Sequence, residues 1–173
     1  FQASGETFLQ AADIQYIASW VRPPIEKWGP DMGVWVWNYP LQNRKYVISA
    51  DISRGDSTDY STFHIIDTEA SEIAAEYRGK LPPDRFAQVL AEAGRKYNNA
   101  LICPENNSYG YACVMKLVEI GYTELYFEKE KDKYAFLYGD KEIAKIGFAT
   151  SSKSRPMILT KLEEVLRTKQ IKI

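Results

Sequence analysis

Two acidic residues, Asp51 and Glu105, close short apolar runs that are typical of buried strands. The first run is residues 46–50 (YVISA) and the second is residues 100–104 (ALICP). Ligands of α/β proteins bind beyond the carboxyl ends of strands, so the two carboxylates meet if these strands are neighbours. Because close carboxylates repel and oxygen ligands suit Mg²⁺ or Mn²⁺, the pattern predicts a metal site at Asp51 and Glu105. The alternative is that Asp51 caps a turn and Glu105 is a solvent-facing strand end.

The turn that follows Asp51 carries two more acids, Asp56 and Asp59. The Gly55-Asp56 pair is typical of a hairpin corner, so we interpret Asp56 as a turn residue. Asp59 is closer to the next strand, and we predict that it faces the same site and binds metal through a water molecule. Capping of the turn is the alternative interpretation of Asp59. His64 is the only histidine and lies in mid-strand, where a structural role is expected.

The composition of the chain excludes several classes of protein. It has 173 residues, of which 45% are hydrophobic and 26% charged, as in ordinary globular domains. With 22 basic and 23 acidic residues the net charge is −1, which excludes a histone-like binder held to nucleic acid by bulk charge. No apolar run approaches the roughly 20 residues that span a bilayer, so we expect no membrane partner. Cys103 and Cys113 lie in apolar runs and are expected to be reduced, buried thiols.

The succession of elements predicts a mixed sheet. Three strand-like stretches joined by short turns predict an antiparallel meander: residues 46–51, 60–67 and 72–78. Helical periodicity and short apolar runs then predict helices near 84–97, 111–120 and from 154 or 156 onward, and strands at 100–103 and 125–127. Residues 34–39 are interpreted as an edge strand, and the charged residues 128–145 as a solvated hairpin or loop.

This order predicts an α/β fold in which an antiparallel meander is followed by parallel β-α-β units, with helices on both faces of the sheet. Residues 1–31 are interpreted as a lead-in, because a weakly amphipathic start is followed by proline and glycine breakers. Residues 32–173 are interpreted as the domain itself. The chain begins with Phe1 and stops at Ile173 within a strand-like run, so we expect a fragment of a larger protein.

Three stretches of the chain carry a resemblance to one family. Residues 46–61 (YVISADISRGDSTDYS) resemble the opening of the nuclease domain in the large terminase subunit of tailed bacteriophages. Residues 97–107 (YNNALICPENN) resemble the second acidic motif of that family, and residues 148–156 (FATSSKSRP) resemble its loop before a helix. Residues 1–8 are similar to the segment that follows the family's ATPase domain. The motifs occur in the family's order over essentially the whole chain, which makes the resemblance specific.

The resemblance implies a ribonuclease H-like fold and an endonuclease that cleaves concatemeric double-stranded viral DNA with two Mg²⁺ or Mn²⁺ ions. In that family three acids hold the ions and a water molecule is the nucleophile. Asp51 matches the first acid and Glu105 the second. The third acid follows the last helix start in the family, so we expect it beyond Ile173 and expect the domain to be truncated at its C-terminus.

The resemblance also implies partners and a location. A full-length chain would carry the ATPase domain ahead of residues 1–31, although this sequence has no G-x-x-x-x-G-K-[ST] phosphate loop of its own. The implied protein partners are the small terminase subunit and the portal protein. The implied location is the cytoplasm of the infected bacterial host, at the portal of the procapsid.

Basic residues that suit DNA phosphates lie in two places. Residues 153–172 carry six basic and two acidic side chains, an excess that the near-neutral total hides. Lys153 and Arg155 lie in a loop and at a helix start, where phosphate contacts are favoured. Three further basic residues are predicted to flank the acids: Arg54, Arg78 and Lys80.

Two other functions remain open at the level of sequence. An actin-like or sugar-kinase-like phosphotransferase also opens with an aspartate at a strand end followed by a glycine-rich hairpin. Here the hairpin has one glycine, Gly55, and a second phosphate loop is not evident. The other alternative is a non-catalytic module that grips DNA or docks on the portal.

Overall fold

The fold is described by a computed structural model for residues 9–56, 58–139 and 142–173. These residues form two compact units. The larger unit is Pro24–Thr150, and the smaller unit combines the described residues before Pro24 with Ser151–Ile173. Residues 1–8, which resemble the segment after a terminase ATPase domain, lie outside the described part of the chain.

The larger unit is built on one mixed sheet. Its strands are β1 (Glu26–Trp28), β2 (Val34–Val36), β3 (Tyr46–Asp51), β4 (Ser61–Asp67), β5 (Glu72–Gly79) and β6 (Leu101–Pro104). Their order in the sheet is β1-β2-β5-β4-β3-β6. Strands β3, β4 and β5 are antiparallel neighbours in a meander, whereas β6 lies parallel to β3. The α/β fold class predicted from the sequence is therefore confirmed.

One helix covers the centre of this sheet. The described helices are α1 (Ala11–Ala18), α2 (Pro83–Lys96), α3 (Ser108–Glu119), α4 (Glu130–Leu137) and α5 (Ser154–Arg167). Phe86 of α2 is fully buried, and its ring centre lies 6.1 Å from that of Phe63 on β4 and 5.6 Å from that of Tyr77 on β5. Burial of a side chain of this size stabilises the fold by about 1.5–3 kcal/mol. Helix α3 packs in turn against α2.

The alternation of β3 decides which face of the sheet carries the acids. Tyr46 and Ile48 are buried, and the ring of Tyr46 contacts Tyr97 at the end of α2. Ser49 and Asp51 point to the opposite face and are exposed. Because side chains alternate strictly along a strand, a register shift of one residue would bury Asp51 and expose the core.

The region before β3 differs from the prediction. The stretch at Val34–Val36 was predicted to lie at the sheet edge, but β2 pairs with both β1 and β5. The edge is instead β1, which lies inside the stretch interpreted as a lead-in. A strand of three residues shows no alternation of its own, so its place in the sheet depends on pairing with β2.

The prediction of a solvated loop over residues 128–145 is wrong. The segment contains α4 and a 3₁₀ turn at Ile143–Lys145. Phe136 of α4 is buried, with its ring 5.5 Å from that of Phe127, and this contact anchors the otherwise charged helix. Residues 125–127 are predicted to form a short strand, but in the structure they form only isolated bridges, from Leu125 to Ile102 of β6 and from Phe127 to Ile146.

The smaller unit contains the first and last helices. The hydroxyl of Tyr16 on α1 donates to the carbonyl of Ile171 at 3.2 Å, and the ammonium of Lys172 lies 5.2 Å from the ring centre of Trp20. Helix α5 begins at Ser154, one of the two predicted starts. No helix within the described ranges is long and apolar enough to cross a membrane.

Candidate functional site

The structure brings the two strand-end acids together. Strands β3 and β6 are parallel neighbours in which Ala50 is paired with Pro104, so the next residue on each strand is Asp51 or Glu105. The backbone N–H of Glu105 donates to the carbonyl of Ala50 at 2.8 Å and continues the pairing to the end of the sheet. The carboxyl groups of Asp51 and Glu105 lie within hydrogen-bond reach of each other. We call these two residues the acid pair.

The surroundings of the acid pair favour the protonated form of Asp51. Partial burial raises the pKa of Asp51, and the hydrogen bond and the charge of Glu105 raise it further. The charge of Asp59 acts in the same direction, while the backbone N–H of Ile52 opposes it. Two neighbouring carboxylates without a counter-charge therefore hold a proton more tightly than an isolated aspartate does. A cation between them would remove the same repulsion.

A cavity of about 430 Å³ opens beside the acid pair. It is lined by residues of two segments, 51–60 and 107–109: Asp51, Ile52, Ser53, Arg54, Asp59, Tyr60, Asn107, Ser108 and Tyr109. We call it the acid cavity. Asp59 thus faces the same space as Asp51, in the place where the sequence suggested a water-mediated ligand.

The loop that forms one wall of the acid cavity is fixed by short contacts. The N–H of Ser53 donates to the hydroxyl of Ser61 at 3.0 Å, and the Ser53 hydroxyl donates to the carbonyl of Asp59 at 3.3 Å. Gly55 has a φ of +86°, and a Cβ there would overlap the backbone of Leu81. Glycine is required at this position for both reasons.

The opposite wall of the acid cavity is the first turn of α3. A Cβ on Gly110 would overlap the carbonyl of Glu105, so the absence of a side chain lets the helix start directly against the acid pair. The amide of Asn106 donates to the carbonyls of Ala144 at 3.0 Å and Ile146 at 2.7 Å. Phe148 pairs with Glu105 through its backbone. These contacts fix the backbone on both sides of Glu105.

Three of the predicted basic residues lie around the acid cavity. The guanidinium of Arg54 contacts the carboxylate of Asp56 at 2.7 Å, and this bond, with a second that Arg54 donates to Tyr109, raises the pKa of Arg54. Arg78 and Lys80 do not line the cavity themselves, but both lie over the ring of Tyr60.

The other two predicted basic residues belong to the smaller unit. Lys153 precedes α5 and Arg155 lies in its first turn, and both are exposed. Ser151 and Ser154 bond each other's backbone N–H at 2.9 and 3.0 Å and fix the start of this helix. The role of Lys153 and Arg155 toward DNA stays a prediction.

Sequence reasoning missed the aromatic walls of the acid cavity. Tyr60 is predicted only as a motif residue at the start of a strand, and Tyr109, in the first turn of α3, lies before the helix predicted near 111–120. The sequence position of Tyr60 could have indicated its role, because Tyr60 directly precedes β4 and lies at the end of the turn that follows Asp51. No local signal indicates that Arg78 and Lys80 converge on it.

The donor set of the acid pair is made of oxygen atoms. Cys103 lies two residues before Glu105, and burial raises the pKa of its thiol to about 11. Cys113 is buried, with a pKa of about 12. Within the described ranges no group of three or more His, Cys, Asp or Glu side chains is arranged to hold a metal ion.

Comparison with solved structures shows that the chain has the mixed-sheet fold of a phage large terminase nuclease. The chain is similar to the large terminase nuclease from thermophilic phage G20c with bound magnesium. The TM-score is 0.69 at 16% sequence identity, over 98% of this chain and 75% of that chain. The same nuclease with bound cobalt matches with a TM-score of 0.65 at 16% identity, over 92% of this chain and 72% of that chain.

The zinc-bound form of the same nuclease gives a similar result, with a TM-score of 0.64 at 16% identity over 93% of this chain and 80% of that chain. No family model matches the sequence, and no curated protein is significantly similar to it. The similarity therefore lies in the fold, and it agrees with the resemblance that the sequence motifs carried.

Proposed function

We propose that this chain is the metal-dependent DNA endonuclease domain of a phage packaging terminase, which cleaves concatemeric double-stranded viral DNA. The observation that carries the proposal is the acid pair, which lies at the carboxyl ends of two parallel strands beside an open cavity. The fold likeness to a phage terminase nuclease described with bound magnesium, cobalt or zinc supports it.

The acid pair fits a hard divalent cation. Asp51 and Glu105 offer only oxygen ligands, and their mutual repulsion is relieved by a positive charge. We propose Mg²⁺ or Mn²⁺, two ions in the complete site, with Asp59 contributing through water. When bound, such ions activate a water molecule for attack on a phosphodiester and stabilise the charge of the leaving oxygen.

The residues of this chain supply position and charge. Asp51 and Glu105 would hold the ions, and neither side chain attacks the phosphate. Arg54, at the wall of the acid cavity, would exchange its contact with Asp56 for a DNA phosphate. We propose the same type of contact for four further basic residues: Arg78, Lys80, Lys153 and Arg155.

The biological setting follows from the terminase resemblance alone. We propose an ATPase domain in the same full-length chain, and the small terminase subunit and the portal protein as partners. The site of action would be the cytoplasm of the infected bacterium, at the portal of the procapsid.

A plasmid-nicking assay tests the proposal. Supercoiled DNA is incubated with the chain, and in parallel with the complete gene product, in Mg²⁺, in Mn²⁺ and with a chelator. We expect nicking only with a divalent cation, and a loss of about a thousandfold or more in Asp51→Asn and Glu105→Gln, because metal positioning supplies several kcal/mol. Glu92→Gln, a substitution in an exposed helix ion pair, is the matched control and should cut normally.

The same assay separates the proposal from its main rival. The described residues contain the acid pair without a third clustered ligand, which favours a non-catalytic DNA-gripping module as the second candidate. Tight, salt-sensitive DNA binding by both proteins without nicking in either metal would support the gripping module. Full nicking by Asp51→Asn would refute the metal assignment.

A further inference from the structure

The ring of Tyr60 connects the acid cavity with two cations. Tyr60 lines the cavity, the guanidinium carbon of Arg78 lies 3.7 Å from its ring centre, and the ammonium of Lys80 lies 5.0 Å from it. A cation over an aromatic ring is attracted by the negative potential of the ring face. The ring thus orders two long side chains that would otherwise sample many rotamers.

Arg78 and Lys80 keep their charge available for another anion. Within residues 9–56, 58–139 and 142–173, neither forms an ion pair with a carboxylate, whereas Arg54 is paired with Asp56. A carboxylate neutralises the cation that it binds, whereas a neutral aromatic ring orients the cation and leaves its positive charge uncompensated. A phosphate could therefore bind Arg78 or Lys80 without displacing a protein anion.

The sheet register places Arg78 on the same face as the acid pair. Asp51 of β3 is paired with Thr62 of β4, and Thr62 is paired with Arg78 of β5. Directly paired residues point to the same face, and two strand spacings are roughly 10 Å. This is about the axial rise of three nucleotides in one DNA strand. Arg78 therefore suits a phosphate a few nucleotides from the one at the acid pair.

We propose that Tyr60 is a positioning residue for DNA, whose ring holds Arg78 and Lys80 at the rim of the acid cavity to receive backbone phosphates beside the cleavage point. This inference rests on the proposed nuclease function, because it assigns the DNA path next to the same acids. Tyr60 acts on DNA binding through the two cations and takes no part in the bond-breaking step.

Duplex DNA binding in a chelator, where no cleavage occurs, gives the first test. We expect Tyr60→Leu to raise the Kd about three- to tenfold and to lower the salt slope by about one phosphate contact. Tyr60→Phe keeps the ring and should bind like the unmodified chain. Tyr138→Leu is the matched control, because the same substitution falls on a tyrosine that is 87% exposed at the end of α4.

A double-mutant cycle and steady-state cleavage give the second test. Arg78→Gln should weaken DNA binding in the folded protein, and adding Tyr60→Leu to it should cost less than Tyr60→Leu does alone, because the ring then has one cation fewer to hold. In Mn²⁺, Tyr60→Leu should raise KM and leave kcat unchanged. Normal binding by Tyr60→Leu, equal weakening by Tyr60→Phe, or full additivity with Arg78→Gln would overturn the assignment.

These outcomes separate the inference from the proposed function. Binding that depends on Tyr60, when neither the chain nor the complete gene product cuts DNA in any metal, would refute the nuclease proposal and leave Tyr60 a positioning residue for DNA binding alone. Normal cleavage and normal binding by Tyr60→Leu would refute the inference alone. Absence of duplex binding by the unmodified chain and by the complete gene product would refute both.

Discussion

The two ends of strand β3 place carboxyl groups in opposite electrostatic settings. At the carboxyl end, Asp51 faces Glu105 and its pKa is raised by burial and by that neighbour. At the other end, Tyr46 is paired with Asp67 of β4. Burial alone would raise the pKa of Asp67, but the N–H of Ala70 and the guanidinium of Arg44, 2.8 Å away, outweigh burial and lower it.

The difference shows that one strand pair serves two purposes. The Asp67 end uses a negative charge to stabilise the fold, because each oxygen has a donor. The acid pair leaves a repulsion uncompensated, as the proposed cation site would require. The residues that stabilise the fold and the residues of the candidate site therefore lie at opposite ends of β3. Substitution of Asp67 and substitution of Asp51 should change the free energy of unfolding in opposite directions.

The largest effect on stability is expected at the Asp67 end. Asp67→Ala should lower the free energy of unfolding by about 2 kcal/mol, because it leaves the Arg44 guanidinium and two part-buried backbone donors without their acceptor. Urea unfolding at neutral pH measures this loss. Glu69→Gln, which removes only an exposed contact 3.9 Å from Arg44, should change stability by less than about 0.5 kcal/mol. Equal effects of the two substitutions would contradict the comparison.

Cation binding at the acid pair should give an intermediate effect. Millimolar Mn²⁺ or Mg²⁺ should stabilise the unmodified chain by about 1.4 kcal/mol when the free ion is near tenfold above its Kd. Asp51→Asn and Glu105→Gln should lose this gain, while Asp67→Asn should keep it. Thermal unfolding with and without the ion measures it, and an unchanged gain in Asp51→Asn would place the ion elsewhere.

The smallest effect is the pH dependence of the cation-free protein. A raised pKa means that Asp51 in the folded state keeps its proton to a higher pH than Asp51 in the unfolded state does. This group therefore lowers the free energy of unfolding as the pH rises above the ordinary aspartate pKa near 4. Asp67 has the opposite sign, because its stabilisation is present above that range and lost as the pH falls through its lowered pKa. Asp51→Asn should therefore gain about 0.5 kcal/mol at pH 7 in a chelator, a small value because solvent screens the exposed pair.

Urea unfolding from pH 3 to pH 7 distinguishes the two signs. The gap in stability between the unmodified chain and Asp67→Asn should narrow below about pH 4. The gap for Asp51→Asn should instead widen as the pH rises. A destabilised Asp51→Asn at pH 7 would show that the acid pair is not repulsive.

Those parts of the molecule with strong local patterns could be predicted from the sequence. Short turns between residues 46 and 78 predict the meander. The apolar runs before Asp51 and Glu105 predict two buried strands, but the two acids meet only if these strands are neighbours, and the pairing of β3 with β6 supplies that condition. Helix α4 could not be predicted in this way, because four of its eight residues are charged and Phe136 is its one buried side chain.

The remaining parts depend on contacts that are distant in sequence. Strand β1 exists because β2 is beside it, and the place of Tyr60 depends on Arg78 and Lys80 arriving from the end of β5. The direction of a pKa shift also depends on distant residues. Asp51 and Asp67 both end strands, yet the pKa of Asp51 is raised and that of Asp67 is lowered. Only the neighbour that each meets, Glu105 or Arg44, distinguishes them.

The side chain of Asn106 has a consequence for local opening of the protein. Its amide donates to two carbonyls of the irregular segment before Phe148, and the N–H of Phe148 donates to the carbonyl of Pro104, the last residue of β6. The segment and the strand end therefore open together as one cooperative unit. The amides of Gly147 and Phe148 donate to the carbonyls of Tyr126 and Pro104. Slow hydrogen exchange at these two amides would therefore report that the backbone beside Glu105 stays closed.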